Sequence, residues 1–317
     1  MAMDHRGLNA FLNVARLGSV GAAATALSLT QPAVSRTLRK LEQQLGVQLF
    51  LRHSTGMELT AFGQSLLPHA ALLEAGLHRA LEEIDLLRGA SKGMARVGIL
   101  PSLVPDILPT VLSNVRTKLP GIQLHVVEAP NHQLTRALLR GEIDFAIAAV
   151  PPEFTEESIR VTPLVNDEIC IVARAGHPIM KKKAPAQKEL CEYDWALQER
   201  GGLIWRYFQA LFASANLEPP MVTLTANSVQ TLKSVILSSD LITMLPRISI
   251  RNEEKNKMLR PVPLRAARWR RQIAVLRRSS GSMLPAVNVV LAEFRKTLIE
   301  TSGADPSKHG PARAALR

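Results

Sequence analysis

The sequence predicts an α/β protein in three consecutive parts: a small helical segment closed by a two-stranded hairpin, a long helix, and a larger region of alternating strands and helices. Apolar residues recur at helical spacing through the first 46 residues, an apolar heptad pattern follows from residue 61, and short apolar strands alternate with amphipathic helices from residue 93 onward. The length of 317 residues is about twice the ~150 residues of a usual domain, which leaves room for this organisation.

Composition excludes several classes of protein. Hydrophobic residues make up 46% and charged residues 21% of the chain, which is a globular composition. No apolar run approaches the ~18 residues of a membrane span, and the opening residues lack the apolar stretch of an export signal. The two cysteines, Cys170 and Cys191, are too few for a disulfide framework and fit a reducing compartment. We therefore expect a cytoplasmic protein with no membrane partner.

The net charge of +12 is unevenly distributed along the chain. Residues 245–317 carry 16 lysines and arginines against 5 acidic residues, whereas residues 1–92 carry 9 against 7. A basic balance suggests a nucleic-acid partner, but most of the excess lies far from the segment whose motif predicts DNA contact. Bulk charge is therefore weak support for DNA binding, and motif geometry has to decide.

The first 46 residues predict three short helices. Apolar stripes at i, i+3, i+4 and i+7 occupy residues 8–15 and 20–27, and Ser19 between them is a suitable N-cap. Thr30 caps a third helix that carries Pro32 in its first turn, where a missing N–H costs nothing. The second and third helices, joined by a tight turn, therefore predict a helix-turn-helix at about residues 20–39.

The polar face of the third helix suits a DNA major groove. Gln pairs well with adenine and Arg with guanine, while Ser, Lys and the helix N-terminus hold phosphates. Two extended runs around Ser54-Thr55-Gly56 predict a β-wing with Arg52 beside its tip. A solvated helix face, and a merely solvated Arg52, are the alternatives. The candidate DNA-binding residues are Thr30, Gln31, Pro32, Ser35, Arg36, Arg39, Lys40 and Arg52.

These motifs carry a family resemblance. Residues 19–24, 29–42, 45–50 and 59–63 resemble, in order, the DNA-binding segment of the LysR-type transcriptional regulators. The resemblance implies that residues 1–60 form a winged helix-turn-helix domain, with the third helix in or beside the groove and Arg52 on the wing. It implies double-stranded promoter or operator DNA as the partner, and RNA polymerase is a further expected partner.

Residues 61–90 predict a linker helix that pairs two subunits. Apolar residues fill both core positions of successive heptads, and charged neighbours make a single wholly buried helix the poorer alternative. In the family this helix pairs the DNA-binding domains, which implies a homodimer, an interrupted palindrome as its DNA site, and a homotetramer as the fuller assembly. The heptad residues are Leu66, Leu73, Ala80 and Leu87 at one core position and Ala70, Leu77 and Ile84 at the other.

Residues 93–300 resemble the effector-binding domain of the same family, which is similar to a periplasmic solute-binding protein. Short apolar strands separated by amphipathic helices suggest a mainly parallel sheet covered on both faces. We place subdomain I at residues 93–166 and 266–300, and subdomain II at residues 167–265, with crossings near 166–167 and 264–266 and a second set of strands starting at 168–173. The tail, residues 303–317, is expected to be disordered.

The strand ends of this region nominate a ligand site. Ligands of open α/β sheets bind beyond the carboxyl ends of strands, against helix N-termini. This rule nominates Ser102, Asn131, Asn227 and Ser228, and Arg200 is the nearest cation in the sequence. Helix N-termini and an arginine favour a small organic anion over a neutral sugar. Ordinary capping is the alternative explanation for these residues.

No catalytic set, cofactor motif or metal motif stands out in the sequence. Cys170 falls in a predicted apolar strand, so inert core packing is favoured over a thiol switch. An enzyme and a solute-capture protein are the rival classes, and both lack supporting motifs. We predict a sequence-specific DNA-binding transcriptional regulator, not an enzyme, controlled by an effector of unknown identity, a small organic anion, bound between the two subdomains without a cofactor.

A run of arginines near the carboxyl end has no role in this prediction. It brackets a predicted strand at residues 272–276. A solvated surface, additional DNA contact and a subunit interface are its three explanations. The run consists of Arg265, Arg268, Arg270, Arg271, Arg277 and Arg278.

Overall fold

The computed structural model describes residues 4–54, 56–87, 93–151, 153–264, 269–281 and 283–302. Some of the predictions concern residues outside this part of the chain. They are the disorder of residues 303–317, the end of the linker helix, and two arginines of the basic run, Arg265 and Arg268. Two compact units result, one of Met1–Gly93 with Arg136–Ile143 and one of Met94–Thr135 with Asp144–Arg317. Among the described helices, none has the length and apolar character needed to cross a membrane.

The second and third helices of the first unit begin directly after Ser19 and Thr30, the two predicted N-cap residues. The Ser19 hydroxyl accepts a hydrogen bond from the Ala22 N–H at 3.4 Å, and Gly18 and Gly46 end helices with φ of 65° and 70°, a region that glycine adopts without strain. The elements are α1 (His5–Leu17), α2 (Val20–Ala26), α3 (Gln31–Leu45), β1 (Phe50–His53), β2 (Gly56–Leu59) and α4 (Ala61–Leu87).

The wing is tied to the helices by backbone and side-chain hydrogen bonds. The Glu42 carboxylate, on α3, accepts the Leu49 N–H at 2.8 Å just before β1. The Met57 N–H, on β2, donates to the Gly18 carbonyl at 2.8 Å. The Phe11 and Phe50 rings pack 5.4 Å apart in the core between α1 and β1. These contacts fix the wing relative to α3, the predicted recognition helix.

Helix α4 changes character along its length. Its first turns pack on the core of the first unit, where Ala70 is fully buried and Leu66 is partly buried. Leu73, Leu77 and Ile84, at the later predicted heptad positions, are 57%, 43% and 45% exposed. The predicted heptad therefore divides into a part that joins its own domain and an exposed apolar part.

The described residues that follow α4 form a mixed sheet covered by helices. The main sheet has the order β10-β6-β11-β5-β3-β4, with β9 also paired to β6, and β7 and β8 form a separate parallel pair. The strands are β3 (Gly93–Ile99), β4 (Ile122–Glu128), β5 (Phe145–Val150), β6 (Ile159–Arg174), β7 (Trp195–Leu197), β8 (Val222–Thr225), β9 (Thr243–Pro246), β10 (Leu259–Pro261) and β11 (Trp269–Arg278). The helices are α5 (Val104–Lys118), α6 (Asn131–Leu139), α7 (Gln187–Leu190), α8 (Leu203–Ala213), α9 (Val229–Leu237), α10 (Arg251–Lys255) and α11 (Pro285–Ser302).

The direction of the strands corrects the expectation of a mainly parallel sheet. β3 and β5 are parallel, as expected, but β11 runs antiparallel to both β5 and β6, and β9 and β10 run antiparallel to β6. The physical reason is that β6 leads into subdomain II and β11 returns from it, so that the two strands pair in opposite directions. An apolar strand sequence indicates that both faces of the strand are buried, but it does not indicate whether the strand runs parallel or antiparallel to its neighbours.

The crossing between subdomains also differs from the expectation. The sequence placed a crossing at residues 166–167 and a new strand at 168–173, whereas β6 is one continuous strand of 16 residues. Its first part pairs with β11 and its last residues pair with β9 and β10. The crossing at residues 166–167 is therefore part of a paired strand and resists bending more than an unpaired loop would. Of the second predicted crossing, Leu264 lies outside any strand, and residues 265–266 lie outside the described residues.

A close approach between α4 and the wing gives a prediction. A Cβ built on Gly63 would lie far inside contact distance of the Leu49 carbonyl oxygen and 2.7 Å from the Leu59 side chain, whereas one on Gly76 meets nothing within 4 Å. We expect Gly63→Ala to destabilise the first unit by about 1–3 kcal/mol, the usual cost of overpacking. Gly76→Ala, on the same helix, should stabilise it by up to about 1 kcal/mol through helix propensity.

Thermal unfolding followed by far-ultraviolet circular dichroism measures both changes. Equal effects of the two substitutions would contradict the close packing of α4 on the wing.

Candidate functional site

The predicted recognition face of α3 is exposed, and its opposite face is buried. Val34, Leu38 and Leu41 are 0–3% exposed, at helical spacing, and hold the helix against α1 and α2. The side chains of Arg36, Arg39 and Lys40 point to solvent and form no ion pair with the described residues. Among the other candidates on this helix, Gln31 and Pro32 are exposed and Ser35 is half-buried. The helix therefore presents three unpaired cations and two hydrogen-bonding side chains on one face.

The last two candidates lie outside α3: Thr30 immediately precedes the helix, and Arg52 is on the wing. Thr30 is exposed at the N-cap position, and its hydroxyl makes no capping hydrogen bond to α3. Arg52 is exposed on β1, in register with Met57 of β2. At the tip of the wing, His53 and Glu58 approach to 3.3 Å. The Thr30 hydroxyl and the Arg52 guanidinium are thus available to a ligand as polar as a DNA backbone.

A cavity of about 230 Å³, which we call the cleft cavity, opens between the two subdomains of the second unit. Subdomain I contributes the segment after β3, the start of α5 and the end of β4, and subdomain II contributes the first turns of α9. The lining residues are Pro101, Val104, Pro105 and Glu128 from subdomain I and Ser228, Val229, Gln230 and Lys233 from subdomain II. Of the five predicted effector-binding residues, Ser228 is on this lining.

Two of the predicted effector-binding residues have side chains that form hydrogen bonds to other residues of the protein. The Ser102 hydroxyl, 5% exposed, accepts a hydrogen bond from the Arg271 guanidinium at 2.8 Å. The Asn131 side-chain amide donates to the Ala149 carbonyl and accepts the Ala149 N–H at 3.3 Å. Both side chains thus stabilise the carboxyl ends of sheet strands, which is where the sequence placed them.

The remaining three predicted residues lie at two places: Arg200 shortly before α8, and the consecutive residues Asn227 and Ser228 before α9. Arg200 is exposed, with its guanidinium over the Trp205 ring at 5.0 Å. Asn227 is exposed before α9. The Ser228 hydroxyl caps α9 by accepting the Thr231 N–H at 3.3 Å. Ser228 therefore both caps α9 and lines the cleft cavity.

Lys233, which sequence reasoning missed, is the cation at the cleft cavity. It is 3% exposed on α9, and its ammonium donates to the Glu253 carboxylate at 2.6 Å and to the Ser249 carbonyl at 3.1 Å. The charge of Lys233 lowers the pKa of the neighbouring Asp106, although burial, the larger effect, leaves that pKa raised. A pattern could have found it, because Lys233 interrupts the buried stripe of α9 at helical spacing.

A buried ion pair joins the two crossing strands. The Arg271 guanidinium, on β11, lies 2.8 Å from the Asp167 carboxylate, on β6, and the two side chains are 10% and 6% exposed. The second Asp167 oxygen accepts the Ile248 N–H at 3.3 Å. Burial lowers the pKa of Arg271, and the Asp167 charge opposes that shift. With the bond from Arg271 to Ser102, this chain of contacts runs from subdomain I to subdomain II.

Neither cysteine has the character of a reactive thiolate. Burial on β6 raises the pKa of Cys170 to about 12, and burial also raises the pKa of Cys191. Both groups are therefore thiols at neutral pH, and the thiol is the less nucleophilic form. No group of three or more potential metal ligands occurs among the described residues.

Comparisons with known proteins agree with this architecture. The family described as "Bacterial regulatory helix-turn-helix protein, lysR family" matches residues 5–64, and the one described as "LysR substrate binding domain" matches residues 88–299. The "Probable hydrogen peroxide-inducible genes activator" of Mycobacterium avium is 30% identical over 279 residues, which cover 87% of this chain and 88% of that protein.

Solved structures share the fold. A full-length OxyR variant from Pseudomonas aeruginosa has a TM-score of 0.69 and 21% identity, covering 98% of this chain and all of that one. Full-length CbnR complexed with its target DNA has a TM-score of 0.65 and 20% identity, covering 94% of this chain and all of that one. With a helix-turn-helix domain and a two-subdomain α/β domain, this chain belongs to the LysR family. It is a DNA-binding transcriptional regulator with an effector-binding domain, and the predicted fold class is confirmed.

The buried ion pair gives a prediction. Arg271→Met leaves the Asp167 carboxylate buried without its partner, which should cost about 3–5 kcal/mol of unfolding free energy. Arg206→Met, which breaks a pair whose side chains are 56% and 59% exposed, should leave the unfolding free energy nearly unchanged, because solvent screens an exposed pair. Urea unfolding followed by tryptophan fluorescence measures both, because Trp195, Trp205 and Trp269 all lie in the second unit.

The double variant Arg271→Met/Asp167→Leu removes both charges and should recover most of the lost stability. A double variant as unstable as Arg271→Met alone would show that the pair is not the cause of the loss.

Proposed function

We propose that a small molecule bound in the cleft cavity controls how this regulator binds its operator. The observation that carries the proposal is the cleft cavity lining, to which both subdomains contribute four residues each. A ligand there contacts both subdomains at once and favours the arrangement in which it is enclosed. Because β6 and β11 connect the subdomains as paired strands, such a shift takes the form of a rigid-body hinge motion.

The ligand class remains the small organic anion of the sequence analysis. Lys233, rather than Arg200, supplies the positive charge in this proposal. An ammonium group has three donors, and Lys233 uses two of them on Glu253 and Ser249, which leaves one for a ligand. Gln230 and the Ser228 hydroxyl add polar contacts, and the prolines and valines of the lining give apolar contact. Ser102, Asn131, Arg200 and Asn227, which the sequence predicts as effector-binding residues, are outside the lining of this cavity.

The assembly we propose is a homodimer through residues 61–90, and a homotetramer on promoter DNA. The exposed apolar residues Leu73, Leu77, Leu81 and Ile84 of α4 support it, because a seam of this length is costly in water. Two chains would then place two α3 helices on the half-sites of an interrupted palindrome. RNA polymerase is the further partner through which such a regulator acts on transcription.

We propose regulation by binding alone, without catalysis or a cofactor, in the cytoplasm where a bacterial regulator meets its DNA. Similarity to a probable activator of hydrogen peroxide-inducible genes suggests oxidant sensing as a second candidate function. Peroxide sensing by cysteine needs an accessible thiolate of low pKa, whereas burial raises the pKa of both cysteines here. The thiol chemistry of this chain therefore favours a non-covalent effector.

The DNA-binding proposal is tested on the intergenic DNA upstream of the protein's own gene, against a scrambled duplex, by fluorescence anisotropy across a salt series. We expect preferential binding of two or four chains per duplex. Arg36→Ala should weaken specific binding by about 1–3 kcal/mol if Arg36 contacts a guanine, and leave binding to the scrambled duplex little changed. Arg16→Ala, an exposed arginine on α1, is the matched control.

Equal, steeply salt-dependent binding to both duplexes would contradict sequence recognition by α3. An equal loss from Arg36→Ala on both duplexes would make Arg36 a phosphate contact.

The cleft cavity is tested by filling it. Gln230→Trp places a bulky ring at the lining, whereas Gln209→Trp, on α8, adds the same ring at another exposed site. In a thermal-shift screen of organic acids and neutral sugars, a ligand at 100 times its Kd should stabilise the protein by about 2.7 kcal/mol. We expect Gln230→Trp to abolish that shift and Gln209→Trp to keep it.

Compounds that stabilise Gln230→Trp as strongly as the unmodified protein would place the effector outside the cleft cavity. DNA binding of Gln230→Trp without ligand should remain unchanged.

A further inference from the structure

A second cavity, of about 600 Å³, lies against the crossing strands of the second unit. We call it the basic cavity. Its wall includes residues 165–168 of β6, Arg270 of β11, the turn and helix that contain Arg247 and Arg251, and Ser302 at the end of α11. The volume falls within the ~300–1,000 Å³ of small-molecule sites, and none of its lining residues lines the cleft cavity.

Positive charge exceeds negative charge on this wall. Four cationic side chains line it, against three carboxylates. One carboxylate, Asp167, is neutralised by Arg271. The other two, Glu168 and Glu254, share Arg247, whose guanidinium lies 3.6 Å from the first and 2.9 Å from the second. The local carboxylates are therefore already engaged.

Three cations on the lining are left without an ion pair within the described residues: Arg251, Lys255 and Arg270. Burial raises the pKa of Asp106, and the charges of Arg251 and Lys255 oppose that shift without forming an ion pair with it. Cations that share one concave space repel one another, and a concave surface concentrates their field on whatever occupies it. An anion in the cavity relieves that repulsion.

We propose that the basic cavity binds a small organic anion with at least two negative charges, at a site separate from the cleft cavity. Arginine holds carboxylate and phosphate oxygens through paired N–H donors, and Arg251 and Arg270 bring two such groups from different elements. Lys255 adds a third charge. The site also gives a role to Arg270, one of the arginines of the basic run.

The position of the site makes it regulatory. Arg270 lies next to Arg271, whose side chain joins Asp167 and Ser102, and Arg251 belongs to subdomain II. A bound anion would therefore contact a crossing strand and subdomain II together. The affinity of the site for the anion would then depend on the arrangement of the subdomains. That dependence is what allows a ligand at this site to change binding at another site.

The test is isothermal titration calorimetry of the full-length protein with citrate, at constant ionic strength, with glycerol as the uncharged comparison. We expect saturable binding of one citrate per chain and no binding of glycerol. The double variant Arg251→Gln/Lys255→Gln should weaken citrate binding at least about tenfold, because it removes two charge-assisted contacts. Arg270→Gln alone should weaken it in the same direction.

The matched control is Lys257→Gln/Arg260→Gln, which removes the same charge from exposed residues of the neighbouring segment outside the lining. It should change the Kd for citrate less than twofold. Equal weakening by both double variants would reduce the effect to general electrostatics and overturn the proposal, as would the absence of saturable citrate binding.

One further variant separates this site from the cleft cavity. Gln230→Trp should leave citrate binding unchanged, even if it abolishes the response to a cleft ligand. Loss of citrate binding in Gln230→Trp would place the anion in the cleft cavity and overturn the proposal, while leaving the proposed function intact.

Discussion

The buried pair of Arg271 and Asp167 is the constraint on which the effector-binding domain depends. Burying two charges is costly unless they form an ion pair with each other, as Arg271 and Asp167 do. Each side chain also forms a hydrogen bond to one subdomain. Arg271 donates to the Ser102 hydroxyl, and Asp167 accepts the Ile248 N–H. The pair therefore fixes the register at which β6 and β11 cross and links the segments that border both cavities. A domain that moves about these strands must carry this network with it.

In the DNA-binding domain, packing contacts hold one exposed helix, α3, in a fixed position. The buried stripe of α3 packs on α1 and α2, Glu42 reaches the backbone before β1, and the lack of a side chain at Gly63 lets α4 lie against that same backbone. Within the described residues, the cations of the exposed face form no ion pair. Arg36, Arg39 and Lys40 can therefore meet DNA without first breaking contacts with the protein.

One relative of this chain is a probable activator of hydrogen peroxide-inducible genes, whereas the effector proposed for this chain binds without covalent chemistry. Burial on β6 raises the pKa of the Cys170 thiol to about 12, so the reactive thiolate is disfavoured at neutral pH. The proposals place small molecules in the cleft cavity, bordered by Lys233, and in the basic cavity, bordered by Arg251, Lys255 and Arg270. Family membership establishes the fold and the class of regulator, while the stimulus depends on the side chains of each member.

The sequence alone determined the order of elements, the face of α3 that meets solvent and the class of protein, because helical periodicity, capping residues and a contiguous motif are local properties. Tertiary structure decided the rest. Arg271 sat in a run of arginines that suggested a solvated surface, and only strand pairing opposite Asp167 buried it. Ser102 and Asn131 stood at strand ends, as ligand residues do, but neighbours distant in sequence bond them, and Lys233 acquired its role from Glu253 on another helix. Pairings of this kind join residues 16 to 169 positions apart, and local pattern does not encode them.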